Sequence, residues 1–419
     1  MFQPKSKHTF YSWLPLVASI LFILLPVEYA ISLFVISMLV LFLIPKYYAN
    51  DPLFAQLLIL AIVLRIGILI VNVHIQFLPD QPDAAHYSRQ GLQIATNISK
   101  GYPLFDNVEY STSVKSYGLF LGLLYIMVGQ TPLVAAVLNV LFGVLSGVYI
   151  YKITLLVFKD KTTALVTGAI MLFLPSAIAF TSFVLRDPLI LLLTLILLYH
   201  LLRIQTDKRR TYDYWTSLIT FILVGILRIQ NFYLYTLFFI IFFIFLFLNS
   251  KIKSSKKILF VLFILIFLSI LIYQFQDHIN AVITYPLRAQ PHRIEGGSAY
   301  LLHMEYNTLS DVIRYLPIRF IYFTYGPFLW DVGGLFQIFS AIEGFFICIA
   351  SILTLFYVVK FKRYRNSQEI FILMFCLLGL LANSMVDSNF GTAVRHRLNY
   401  IIFFFMFAVV YIRHIKFKL

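Results

Sequence analysis

The chain has 419 residues, 61% of them apolar and only 12% charged, with a formal net charge of +15. A soluble protein of this length could not hide so much apolar surface, and the mean hydropathy of +0.87 comes from continuous runs rather than period-2 alternation. The composition therefore excludes a soluble enzyme and a membrane β-barrel. It predicts an all-α, polytopic helical membrane protein. The basic excess does not point to nucleic acid, because most Lys and Arg sit in short loops between apolar runs, where they orient a membrane chain.

In chain order, spans are expected at about 9–25, 29–45, 53–76, 131–158, 163–181, 188–204, 215–228, 231–249, 257–275, 335–358, 370–386 and 398–413. This is about 12–13 crossings, counting one ambiguous stretch. Lys5 and Lys7 precede the first run, and no small-residue cleavage pattern follows it, so the reading is an uncleaved anchor. Lys46, 159–161, 208–210, 251–257, 360–365 and 413–418 carry the basic residues and fall on one side. The positive-inside rule makes that side cytoplasmic, which gives a multi-pass protein of the cell membrane with both termini cytoplasmic. The opposite side receives a first large loop, 77–115, and a second, 276–334, within a single integral membrane domain spanning 1–419. Two apolar stretches do not fit as simple crossings. The run 116–129 reads as re-entrant or as half of a pair, and 313–330 as interfacial, with Tyr322, Tyr325 and Trp330 suited to that depth.

Charges near the membrane are costly and each needs a reason. Five sets gather at the non-cytoplasmic ends. The first is Asp80, Asp83, His86, Tyr87 and Arg89. A short helix over 84–98 would put Asp83 and Tyr87 on one face, and either aspartate could cap it. Capping accounts for one carboxylate but not for two beside a histidine. The second is Arg186-Asp187-Pro188, a cap-and-first-turn signal that carries a cation on the side where cations are disfavoured. The third is Arg228, between two spans with almost no loop, where it could snorkel or pair with a carboxylate. The fourth is the loop with Arg288, His292, Arg293 and Glu295, which also reads simply as solvated. The fifth is Asp387, Arg395, His396 and Arg397, just before the last span. Arginine forks facing away from the cytoplasm are suited to phosphate. Carboxylates for a base and arginines for a leaving phosphate, without a soluble catalytic domain, form the layout for group transfer from a lipid phosphate.

Smaller signals read as structural. Asn97-Ile98-Ser99 is a glycosylation triplet of the kind that arises by chance, and His74 and His200 read as interfacial. Cys348 and Cys376 lie inside apolar runs, and no zinc, EF-hand or triad pattern is present.

The segment from Asp83 to Tyr87, followed by Gly101-Tyr102-Pro103, resembles the first outer loop of C-type (GT-C) membrane glycosyltransferases, family 39-like. The stretch around 116–145, the Phe173-Leu174-Pro175 triplet, the Arg186-Asp187-Pro188 turn and the arginines before the final span follow the same order of parts. The resemblance runs from about 70 to 413. It implies a polyprenyl-(pyro)phosphate-linked sugar donor and a hydroxyl acceptor (glycan, lipid or protein) on the non-cytoplasmic face, in surface polysaccharide or glycoconjugate synthesis. It implies Asp83 as general base, Asp80 as its understudy or a metal ligand, and Asp187 as the second acidic position. Arg395 and Arg397, with Arg186 and Arg228, would hold the donor phosphate, and His86, Tyr87, Arg288 and Arg293 would line the substrate loop. Many such enzymes have two adjacent acids at the first site, whereas this chain has Asp83-Ala84. A Mg²⁺ or Mn²⁺ ion between Asp80, Asp83 and the donor phosphate is conceivable on ligand chemistry. Two other readings stay open: a polymerase or ligase of lipid-linked repeat units, and a flippase or transporter, for which Arg65 is the mid-span candidate.

Overall fold

The computed structural model describes residues 27–78, 81–108, 112–129, 131–206, 209–248, 280–281, 283–291, 297–362 and 366–416. The expected spans 9–25 and 257–275 lie outside these residues, as do Asp80, His292, Arg293 and Glu295. The described residues are all-α apart from one isolated bridge, Ala299 to Asn389. Among the described residues, six helices are long and apolar enough to cross a membrane, or seven if a bent pair is one span. The chain divides into two compact units with the boundary at Phe232 and Tyr233.

The first unit contains α1 (Val27–Asn50), α2 (Pro52–Ile75), α3 (Pro82–Lys100), α4 (Thr112–Val128), α5 (Pro132–Phe158), α6 (Lys161–Phe173), α7 (Pro175–Thr181), α8 (Asp187–Ile204) and α9 (Thr211–Leu227). Asp51 caps α2, accepting from the Phe54 amide at 3.2 Å, with Pro52 in the first turn where its missing N–H costs nothing. The α5 helix is the most enclosed of the spans, and α1, α2, α6 and α8 pack against it. At one end of this bundle Phe54 stacks on Tyr151 with ring centroids 4.2 Å apart, and the Tyr151 hydroxyl donates to Asp51 at 3.1 Å.

The span expected over 163–181 is broken. Helices α6 and α7 meet at Leu174 with a bend of 52°. The reason is Pro175, which has no N–H for the Met171 carbonyl and whose ring disfavours a continuing helix. The freed carbonyls are taken up by Arg65, which is fully buried on α2. Its Nη2 donates to Leu172 O at 2.9 Å and lies 3.5 Å from Met171 O; its Nη1 donates to Ala177 O at 2.9 Å and to the Thr181 hydroxyl. A cation against the C-terminal carbonyls of α6 also suits the helix dipole. The mid-span arginine therefore stabilises a helix break.

The stretch 116–129 forms one unbroken helix, α4, about 26 Å long at ~1.5 Å per residue. It packs on α3, whose inward face is Tyr87, Gln90, Gly91, Ile94 and Ala95, the spacing of one helical stripe. The contact is close: a Cβ on Gly91 would sit 2.7 Å from the Cβ of Leu121. At the far end of α3, Gly101 takes a left-handed cap, and buried Asn97 donates to the carbonyl of Asp106 at 2.9 Å. Asn97 thus holds a turn, and the glycosylation triplet is a structural one.

The second unit contains most of α10 (Ile229–Leu248), then α11 (Tyr285–Ala289), α12 (Leu309–Tyr325), α13 (Leu335–Lys360), α14 (Ser367–Ser384) and α15 (Phe390–Lys416). Phe238, Phe242, Phe371 and Phe375 join α10 to α14 through ring contacts in the core of this unit. The helix expected over 313–330 is α12, started by a reciprocal cap between Thr308 and Asp311. On α13, a Cβ at Gly344 would meet the Tyr325 carbonyl at 1.9 Å, so only glycine lets α13 approach the end of α12. The last span begins at Phe390, eight residues before the expected start at 398. Arg395, His396 and Arg397 therefore stand on a helix and not in the loop read from the sequence.

Candidate functional site

The first unit brings Asp83, Tyr87, Arg186, Asp187 and Arg228 together. Helix α3 supplies the first two. Its N-cap is Gln81, without a side-chain cap bond, and Pro82 opens the first turn. Asp83 therefore is not the cap that its position suggested; it lies one residue inside, where a carboxylate faces the positive end of the helix. Tyr87, one turn on, is buried at 6% exposure and meets Tyr117 edge-on at 5.1 Å. Burial, more than any neighbouring charge, raises its phenol above the ordinary value. Tyr87 is thus a neutral hydrogen-bond donor at physiological pH and not a base.

Arg186 and Asp187 come from the turn between α7 and α8. The turn is anchored from below. Asn139 on α5 donates from Nδ2 to the carbonyls of Phe183 (2.6 Å) and Leu185 (2.8 Å), and the Tyr117 hydroxyl donates to Leu185 O at 2.9 Å. Asn139 and Tyr117 are both buried. Their donors satisfy carbonyls that an irregular turn would otherwise leave unpaired in a bundle.

Arg228 occupies a one-residue break between α9 and α10. Its Nη2 donates to Asp187 Oδ1 at 2.6 Å, with both side chains about nine-tenths covered. In return Arg186 Nη1 donates to the Leu227 carbonyl at 3.0 Å. Arg186-Asp187 and Leu227-Arg228 are thereby interlocked, cation to backbone in one direction and cation to carboxylate in the other. The Arg186 guanidinium lies 5.9 Å from the Tyr87 ring centre. Burial first, then Arg228, lowers the Arg186 pKa from its ordinary value, while Tyr87, Asp187 and Asp83 oppose that shift. The two carboxylates and two guanidiniums thus act on each other electrostatically around one tyrosine. The Arg186 Nε is buried without a hydrogen-bond partner.

The Asp187–Arg228 pair has a measurable energy. In a double-mutant cycle of Asp187→Asn and Arg228→Gln, each single change should lower stability in detergent, and the double change should cost less than their sum. A coupling of about 1–3 kcal/mol is expected for a largely desolvated charge pair. Strict additivity in thermal melting would show that the pair contributes nothing.

The other expected residues have different surroundings. His86 bonds with Arg89, Nδ1 to Nη2 at 2.8 Å, on the exposed side of α3. Arg288 donates to the Ala281 carbonyl on an exposed turn. In the second unit Arg395 is buried on α15. Arg397, fully buried, donates to the carbonyls of Thr324 (3.2 Å), Phe323 (3.4 Å) and Gly326, and lies 3.9 Å from Glu343. It therefore ties α15 to the end of α12, as Arg65 does for α6. His396 bonds to Asp387.

Sequence reasoning missed two buried groups. Arg319 on α12 donates to Asp387 O at 3.1 Å, Ser384 O at 3.3 Å and the Ser388 hydroxyl, and stacks over Tyr306 at 4.9 Å. The signal was present: an arginine inside the apolar run IRFIYFTY. His200, read as interfacial, is buried and bonds to Asp213 at 2.6 Å. Among the described residues no group of three His, Cys, Asp or Glu side chains could hold a metal ion.

Helices of membrane-spanning length, with buried charges held at their ends and breaks, define the molecule as an all-α, multi-pass membrane protein. Residues 117–273 match the family model described as dolichyl-phosphate-mannose-protein mannosyltransferase, a family of GT-C type polytopic membrane glycosyltransferases that use polyprenyl-phosphate-linked sugars. Arg186, Asp187 and Arg228 fall inside the matched stretch, and Asp83 precedes it. No curated protein matches the chain.

Proposed function

We propose that the protein is a membrane glycosyltransferase that moves a sugar from a polyprenyl-(pyro)phosphate donor to a hydroxyl acceptor on the non-cytoplasmic face, in surface polysaccharide or glycoconjugate synthesis. One observation carries the reading: Arg228 is ion-paired to Asp187 at 2.6 Å, and the neighbouring Arg186 lies 5.9 Å from the ring of Tyr87, which stands on the same helix as Asp83 and one turn after it. In this reading Asp83 takes the proton from the acceptor hydroxyl. The acceptor oxygen forms its bond to the anomeric carbon, and the bond from that carbon to the phosphate oxygen breaks. The electron pair leaves with the lipid phosphate, whose growing charge is met by Arg186, while Asp187 and Arg228 keep the turn in place. Tyr87 offers a neutral donor to the sugar.

The transporter reading loses its main support, since Arg65 is engaged at the α6–α7 break. The polymerase reading is separated by what accumulates in a strain lacking the gene. A transferase leaves its polyprenyl-linked sugar and undecorated acceptors, detected by mass spectrometry of the lipid extract. Accumulated lipid-linked repeat units that are complete but unpolymerised would overturn the proposal.

A further inference from the structure

A polar side chain with nothing to bond lies one turn beyond Tyr87. Gln90 is 4% exposed, and neither its amide nitrogen nor its amide oxygen has a hydrogen-bond partner among the described residues. It follows Asp83 and Tyr87 on the stripe of α3 that turns inward. A buried amide bonded to nothing lowers stability, so such groups are rare and gather where function requires them. Packing does not require this one. The Gln90 amide oxygen lies beside Gly118 of α4, where a Cβ would come within 3.2 Å of it. An apolar side chain of like volume would fill that place, as Ile94 does one turn further along α3, against the same Gly118 and Gly122.

The surroundings are those of the proposed site. Gly118 follows Tyr117, whose ring meets that of Tyr87 at 5.1 Å and whose hydroxyl donates to the Leu185 carbonyl, next to Arg186. On that turn and its anchor, the Arg186 Nε and the Asn139 Oδ1 are also buried without a hydrogen-bond partner among the described residues. Unspent donors and acceptors thus collect around Tyr87 and Tyr117.

We infer that Gln90 binds hydroxyl groups of the transferred sugar, an inference that rests on the proposed transfer reaction. A primary amide donates from one side and accepts on the other, as neighbouring sugar hydroxyls do. Being neutral, it suits the sugar and leaves the phosphate to the Arg186 guanidinium. A helical side chain leans toward the start of its helix, and the torsions of glutamine let the amide leave Gly118 for the level of Tyr87, about 5.4 Å or one turn away, with no backbone movement. Gln90 thereby helps to decide which sugar is accepted, because a site built to bond a hydroxyl rejects a sugar that lacks it.

Gln90→Met in the full chain tests it, with melting temperature in detergent and steady-state transfer from the lipid extract of a strain lacking the gene as the two readouts. The expected result is a melting temperature equal to or above that of the parent, since methionine fills the volume without an unpaired group, together with kcat/KM lower by about 10–100-fold. Gln90→Asn, which keeps the amide but draws it back by one methylene, should lose transfer as well and serves if the methionine variant does not fold. A lower melting temperature with transfer reduced only in step with the folded fraction would make Gln90 structural and overturn the inference. Parental kcat/KM in either variant would overturn it too. A parent chain that transfers no sugar from the extract, or full transfer by Asp83→Asn, would instead overturn the transfer reaction on which the inference rests.

Discussion

Asp83→Asn should lower sugar transfer by about 10²–10⁴-fold, the usual contribution of a general base, while membrane abundance and melting temperature stay near those of the parent chain. The two halves of that result follow from the same geometry. Asp83 is one residue inside α3 and does not cap it. The amide keeps the shape and much of the favourable dipole at the helix start but cannot take a proton. A purely structural aspartate would behave in the opposite way, with a lower melting temperature and transfer reduced only in proportion to the folded fraction. Asp83→Glu should recover part of the activity, because the base is retained at a displaced position. Full transfer by Asp83→Asn would remove Asp83 from the chemistry and with it the proposed site.

Arg65→Met should destabilise the folded protein by about 2–4 kcal/mol, read as a lowered melting temperature in detergent. Methionine nearly fills the volume, so the loss isolates the hydrogen bonds. The Leu172 carbonyl and the Thr181 hydroxyl would lose the guanidinium, and the Ala177 carbonyl would keep the Thr181 hydroxyl as donor but lose Arg65, at a break that Pro175 has already deprived of one backbone N–H. Neither protein nor lipid chain near that point offers an easy replacement, which is why the cost exceeds that of an ordinary surface arginine. Arg65→Lys should recover only part of the loss, since one ammonium cannot span carbonyls on both sides of the bend. A transport residue would show the reverse pattern, with unchanged melting and lost function. An unchanged melting temperature in Arg65→Met would mean that the break stands without the arginine.

The two predictions mark how far residue type alone could be read. Arg65 and Arg397 looked equally functional as sequence, being cations in or beside apolar runs. In the structure both terminate helices by donating to backbone carbonyls. A carbonyl left by a broken helix is invisible in sequence unless the break is known, and α6–α7 read as one span because Pro175 lies in an unbroken apolar stretch. Arg228 is the opposite case. Its position between two runs gave the pairing with a carboxylate as one option, and the partner, Asp187, is 41 residues away along the chain. A short helix over 84–98 that places Asp83 and Tyr87 on one face was open from the sequence; the helix runs from Pro82 to Lys100 and has both residues inside it.

The amino-acid sequence by itself determined the all-α membrane class and most span positions, because hydrocarbon thickness and unpaired backbone polarity leave a long apolar run almost no alternative to a helix. It also determined which charges demand an explanation, since each carries a desolvation cost wherever it finally sits. What satisfies each charge was decided only by tertiary structure. Helix packing set Arg228 against Asp187, placed Arg186 at the end of α9 and beside Tyr87, and engaged Arg65 at the α6–α7 break. Hydrogen bonds reach only about 3 Å, and no local pattern encodes which distant carbonyl or carboxylate comes within that distance.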